Sequence, residues 1–96
     1  MKINFERNSE KLNISLDGRL DTITAPEFEE FLKSNLNGAK EVTLDFEKLV
    51  YISSAGLRVL LALNKKMKSN LTLVNVQELV MEVLEVTGFV DILVIK

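Results

Sequence analysis

Apolar and polar residues alternate at the start of the chain. Ile3 and Phe5 stand among polar neighbours, and Leu12, Ile14 and Leu16 do the same beyond Arg7-Asn8-Ser9-Glu10. A period of two on either side of a polar turn predicts an antiparallel hairpin that ends at Asp17-Gly18. Arg19 to Thr24 reads as an irregular connection. Two helix starts overlap after it: Thr24 with Glu27 matches a capping box, whereas Pro26 at the first helical position makes Ala25 the cap. Phe28, Phe31, Leu32 and Leu36 then recur at helical spacing, and Asn37-Gly38 closes the helix.

The period returns to two from Glu41 to Phe46, which predicts a strand, and Glu47-Lys48-Leu49 turns into a short apolar segment, Val50–Ile52. Two serines and two small residues follow, and Leu57, Leu60 and Leu61 resume at i, i+3, i+4, so a helix is expected from about Ser54 to Lys68. Its first half is apolar nearly all round. It is therefore either deeply packed or offers an apolar flank to a partner, with one of Val59, Ala62 or Leu63 left exposed. Leu71–Val74 is a further strand. Asn75 can cap a helix with the stripe Leu79, Val80, Val83 and Leu84, Thr87-Gly88-Phe89 reads as a glycine cap, and Ile92–Ile95 as a last strand. Strands and helices alternate in the later part, which predicts parallel pairing with right-handed crossovers. The expected fold is α/β: one domain over residues 1–96, with helices packed against a mixed sheet.

Composition narrows the chemistry. The 96 residues are 47% hydrophobic and 27% charged, as in a globular domain. Twelve basic against 14 acidic residues give a net charge of −2, and no basic cluster suggests nucleic acid as a partner. The absence of Cys and His excludes disulfides, thiol chemistry and the usual zinc sites. No apolar run approaches the roughly 20 residues that cross a bilayer, and Met1-Lys2-Ile3-Asn4 does not read as a signal peptide. A soluble, cytoplasmic protein without a cofactor or a metal is expected.

The stretch Val50–Leu61 carries the candidate chemistry. A strand-like segment delivers the hydroxyls of Ser53 and Ser54 to a helix N-terminus, where unpaired N–H groups and partial positive charge can hold an anion. A nucleophilic serine needs a base. The chain has no His, its lysines lie at Lys65 and beyond on this helix, and the flanking glycine of a Gly-x-Ser-x-Gly elbow is missing. Gly18, Gly38, Gly56 and Gly88 stand singly, as turn or cap residues rather than a phosphate-binding loop. Asp17, Asp21, Asp45 and Glu47 are spaced as surface charges. Read locally, Ser53-Ser54-Ala55-Gly56 is a helix cap followed by small residues for tight packing.

Four segments together resemble the STAS family, specifically the bacterial anti-sigma factor antagonists. They are Gly18-Arg19-Leu20-Asp21-Thr22 before the Thr-Ala-Pro helix start, Val42–Phe46, Tyr51–Arg58, and Glu85-Val86-Thr87-Gly88-Phe89. Their order and spacing follow the family across nearly the whole chain. The resemblance implies a four- or five-stranded mixed sheet with helices on one side. It further implies a non-enzymatic switch: the unphosphorylated antagonist sequesters an anti-sigma factor that is also a serine kinase, phosphorylation breaks the complex, and a serine phosphatase restores it. Transcription is regulated through the freed sigma factor. Aligned on Gly56-Leu57, the family's phosphoserine falls on Ser54. Ser53 stands where many members carry Asp and is the second candidate. Asp21, Thr22, Ser53, Ser54, Ala55, Gly56 and Arg58 map to the partner-binding surface, and Asp21 is expected near Ser54. The competing readings are a constitutively docked STAS subunit of a signalling or membrane-transport assembly, and a small-molecule or lipid carrier using the apolar helix flank.

Overall fold

Strand β2 (Lys11–Leu20) is the one on which three other strands are registered. The computed structural model describes residues 1–68 and 70–96. Strand β1 (Lys2–Asn8) pairs antiparallel with β2, from Lys2 opposite Asp17 to Asn8 opposite Lys11, and Ser9-Glu10 form the turn. Ser9 takes the left-handed conformation there, at φ 58°. Helix α1 spans Ala25–Asn35 and returns the chain to β3 (Glu41–Asp45), which lies parallel to β2 on its other side. Strand β4 (Leu49–Ile52), helix α2 (Ser54–Met67), strand β5 (Leu71–Val74), helix α3 (Glu78–Val86) and strand β6 (Val94–Ile95) complete the order. Five strands lie in the row β1-β2-β3-β5-β6, parallel from β2 onward. The sixth, β4, pairs with the far end of β2.

The period of two becomes two chemically different faces. Leu12, Ile14 and Leu16 on β2, Val42 and Leu44 on β3, and Leu71 and Leu73 on β5 are buried. Asn13, Ser15, Thr43 and Thr72 between them stay at least partly open, because successive side chains on a strand point to opposite sides. Onto the apolar face α1 brings Ala25, Phe28 and Leu32, α2 brings Leu57, Leu60 and Leu63, and α3 brings Val80 and Leu84. Phe31 meets Phe5 edge to face, with ring centroids 5.0 Å apart, and covers the β1 margin of the core.

Several local expectations change in the folded chain. Strand β2 does not stop at Asp17-Gly18. It passes through a bulge between Gly18 and Arg19, with Gly18 at φ 118°, and runs to Leu20. The cause is a partner far along the chain. The Gly18 N–H donates to the Lys48 carbonyl at 2.9 Å, and β4 then pairs parallel with the extension. At the start of α1, Thr24 occupies the cap position, but its hydroxyl serves the preceding loop and no capping box forms. Asn75 does not cap α3, whose cap position is Gln77; its side chain instead donates to Asp45 Oδ1 at 3.1 Å and ties the ends of β5 and β3 together. Leu79 is 66% exposed rather than part of the buried stripe. The glycine cap is found at Gly88, with φ 80°, but a 3₁₀ turn over Phe89–Asp91 follows it. Leu93 is buried beyond that turn, so the last strand shortens to Val94–Ile95.

Candidate functional site

The parallel pairing of β2 and β4 decides what stands at their shared end. Leu20 lies opposite Ile52, and the Ser53 N–H donates to the Leu20 carbonyl at 2.9 Å. The chain therefore leaves one strand as Asp21-Thr22 and its neighbour as Ser53-Ser54. Asp21, Thr22 and the two serines, remote in sequence, share one end of the sheet.

Ser53 is the N-cap residue of α2, with extended backbone (φ −108°, ψ 177°), and its carbonyl accepts the Leu57 N–H at 2.9 Å. Ser54 is thus the first helical residue, one place further in than a cap. The two hydroxyls have opposite environments. Ser53 Oγ is buried and has no hydrogen-bond partner among the described residues, while Ser54 is exposed. The reason lies two residues on. Gly56 is buried in the first turn of α2, where a Cβ would come within 2.8 Å of Leu20 Cγ, 2.9 Å of Ile52 Cγ1 and 3.0 Å of the Leu20 carbonyl oxygen. The missing side chain lets α2 sit directly on the strand ends, and Ser53 is enclosed in that contact. Gly56 is therefore a packing residue inside the helix, not a turn or cap.

The first turn of α2 contains no acidic residue, so no side chain of its own offsets the unpaired N–H groups and partial positive charge there. Arg58 is exposed one turn beyond Ser54. It helps to line a hollow of about 380 Å³ between α1 and α2 with Thr22, Ala25, Pro26, Glu29, Ala55 and Val59. Thr22, Ala55 and Arg58 were expected on the partner surface; Pro26, Glu29 and Val59 join them only because α1 packs beside α2. Of the three apolar residues of the α2 flank, Val59 and Leu63 are buried and Ala62 is exposed. Ile23 is 85% exposed beside Thr22 and was not singled out in sequence; an aliphatic residue in an otherwise polar connection was the available signal. Arg19 stacks on the Tyr51 ring across the β2–β4 pair, 4.2 Å from its centroid.

Asp21 organises the loop that follows β2. Its Oδ1 accepts the N–H groups of Ile23 at 3.0 Å and Thr24 at 3.1 Å. The Thr24 hydroxyl accepts the Asp21 N–H at 2.9 Å and donates to the Arg19 carbonyl at 2.7 Å. The backbone N–H of Thr24, with help from that of Ile23, holds the Asp21 carboxyl below its ordinary pKa. A carboxylate whose folded pKa is depressed adds stability above its unfolded value and loses it as pH falls through the folded one. Wild type and Asp21→Asn should therefore differ most in stability near neutrality and converge as the pH drops below the ordinary aspartate range. Urea midpoints of the two proteins across that range measure the difference, and a constant gap would mean that the loop does not favour the ionised form.

The comparisons with known proteins bear on the family and the fold. A family model described as "Mlab, STAS domain" matches residues 3–95. BtrV of Bordetella bronchiseptica, assigned as an anti-sigma factor antagonist, is 34% identical over 96 residues, covering 96% of this chain and 83% of its own length. The anti-sigma-B factor antagonist of Staphylococcus aureus is 26% identical over 99 residues, with 97% and 92% covered. Among solved structures, that of TM1081 from Thermotoga maritima, assigned as an anti-sigma factor antagonist, reaches a TM-score of 0.88 at 20% identity, with coverage of 97% and 84%. The Bacillus cell fate determinant SpoIIAA in its phosphorylated form reaches 0.74 at 17% identity, with coverage of 99% and 91%. At these identities the two structures speak for the fold. The chain belongs to the STAS domain family, in its group of anti-sigma factor antagonists. No helix among the described residues is long and apolar enough to cross a membrane.

Proposed function

We infer that this chain binds an anti-sigma factor that is also a serine kinase, and that phosphorylation of Ser54 ends the complex. While Ser54 is free, the kinase is sequestered and its sigma factor can direct transcription. Once Ser54 is modified the kinase is released, and a serine phosphatase resets the cycle. Asp21, Thr22, Ser53, Ser54, Ala55, Gly56 and Arg58 supply or shape the surface at the shared end of β2 and β4. The observation that carries this reading is the exposed Ser54 at the first position of α2, beside an enclosed Ser53 hydroxyl. A kinase can reach the former and not the latter.

The physics of a switch follows from that position. Phosphate adds about −1.5 to −2 charge and three strong acceptor oxygens. At an acid-free helix N-terminus the domain tolerates this dianion. A partner lying flat on the same spot has to desolvate it, at a cost of several kcal/mol if it finds no pairing. That SpoIIAA, a protein of the same fold, was solved phosphorylated supports such tolerance.

The test is incubation with ATP and the cognate anti-sigma kinase, followed by intact mass and peptide mapping. One phosphate is expected on wild type and on Ser53→Ala, and none on Ser54→Ala. Modification of Ser54→Ala but not of Ser53→Ala would move the site by one residue. A wild-type protein that binds the kinase and takes up no phosphate would exclude the switch and leave constitutive docking.

A further inference from the structure

Helix α3 has two apolar faces, and only one of them is used by the core. Val80 and Leu84 are fully buried, whereas Leu79 is 66% exposed and Val86 87% exposed. Positions seven apart on an α-helix lie almost above one another, so Leu79 and Val86 form one outward stripe. Single exposed aliphatic residues are ordinary, but two aligned on one helix make a surface that another apolar surface can cover. The charges on α3 are all of one sign: Glu78, Glu82 and Glu85, with no Lys or Arg between Glu78 and Val86.

A second surface of the same molecule is its chemical counterpart. Between α1 and α2 lies an apolar groove of about 170 Å³, floored by Leu32, Leu36, Val59 and Leu63. Lys33 and Lys66 stand on its lining, with Glu29 as the one carboxylate among the lining residues. Lys40 and Lys68 line the adjoining hollow beyond Leu36. The groove itself has the volume of about one aliphatic side chain and is flanked by two lysines and one glutamate, so a longer apolar stripe would place one residue in it and the rest along its rim.

We propose that the chain associates with itself through unlike surfaces, the Leu79–Val86 stripe of α3 in one copy seating against the lysine-rimmed α1–α2 groove of the next. Apolar residue meets apolar floor, and Glu82 and Glu85 meet Lys33 and Lys66. Complementary potentials steer encounter and set register. A net charge of only −2 leaves little overall repulsion between copies. The contact is heterologous, since the patch that inserts differs from the patch that receives. It is also small, which places it among weak, concentration-dependent associations.

The experiment is sedimentation equilibrium of the full chain over a concentration series reaching the millimolar range. Wild type should rise in weight-average mass with concentration, and the rise should shrink in about 1 M salt, where the screening length falls to about 3 Å. Lys33→Glu/Lys66→Glu, with the groove reversed, and Leu79→Lys/Val86→Lys, with the stripe reversed, should each stay monomeric alone. Mixed in equal amounts they should associate again, because one retains an intact stripe and the other an intact groove. Circular dichroism confirms that each variant is folded, and Glu82→Lys/Glu85→Lys replaces the stripe variant if it is not. A monomeric wild type overturns the proposal, and so does a mixture that stays monomeric. Association persisting in both variants alone overturns it too, and would point to another surface such as the free edge of β1.

Discussion

Ser54→Asp should weaken binding to the anti-sigma kinase by about 2 kcal/mol or more, roughly a thirtyfold rise in Kd, because it places an unpaired charge in the centre of the proposed interface. The loss should appear mainly as faster dissociation, since truncating or adding a charge at a buried contact acts on the off-rate more than on encounter. The domain itself should barely notice. Ser54 is the exposed first residue of α2, where a carboxylate sits favourably with the helix dipole, worth up to about 1 kcal/mol at such positions. Ser54→Ala should bind as wild type does, because it removes the acceptor oxygen and adds no charge. Titration calorimetry gives the affinities and thermal melts give the stabilities. Equal affinity of Ser54→Asp and wild type would show that the contact does not cover Ser54, and an equal fall in Ser54→Ala would show that the hydroxyl itself is read.

The second large effect belongs to Gly56. Two opposed effects can be weighed at this position. Glycine in a helix interior is disfavoured by about 1 kcal/mol relative to alanine, so the substitution gains that much in propensity. Against it, the new Cβ would stand 2.8 Å from Leu20 Cγ and 2.9 Å from Ile52 Cγ1, and 3.0 Å from a backbone oxygen. Leu20 and Ile52 are 0% and 1% exposed and have nowhere to turn, so the helix has to lift. Overpacking of this kind costs about 1–3 kcal/mol. Gly56→Ala should therefore be destabilised by a net of up to about 2 kcal/mol, a fall in Tm of up to roughly 15 °C for a domain of this size. The lift also moves Ser54 and Arg58 away from Asp21 and Thr22, so partner binding should fall even where the protein remains folded. A Gly56→Ala protein as stable as wild type would mean that the strand ends yield and the close approach is not required.

The two predictions rest on residues of different legibility. Ser54 was visible in sequence as a hydroxyl at the start of an apolar helix, within a stretch that resembles the antagonist family, but sequence placed it only to within one residue. What separates it from Ser53 is enclosure of one hydroxyl and exposure of the other. That follows from how closely α2 approaches β2 and β4, a distance no local pattern contains. Gly56 looked like one more isolated glycine for the same reason: its neighbours, Leu20 and Ile52, belong to two other segments. Asp21 was matched through the family, yet its bonds to Ile23 and Thr24, and the diversion of the Thr24 hydroxyl from helix capping, appear only in the folded loop.

By itself the sequence determined where side chains alternate at a period of two and where they recur at three and four. It thereby set the hairpin, β3, β5 and the three helices nearly to their ends, together with the glycine that stops α3. These are properties of residues adjacent along the chain, and burial of one face is enough to enforce them. Only the tertiary structure decided that β2 runs on through Gly18 to Leu20, because the partner making that extension favourable, β4, lies some thirty residues further along. It alone decided that Leu79 faces outward, since α3 has two apolar rows and the sheet has room beneath it for one. The site stands on the first of these decisions: the end of β2 and the short β4 pair in parallel and bring Asp21 and Ser54 to the same rim.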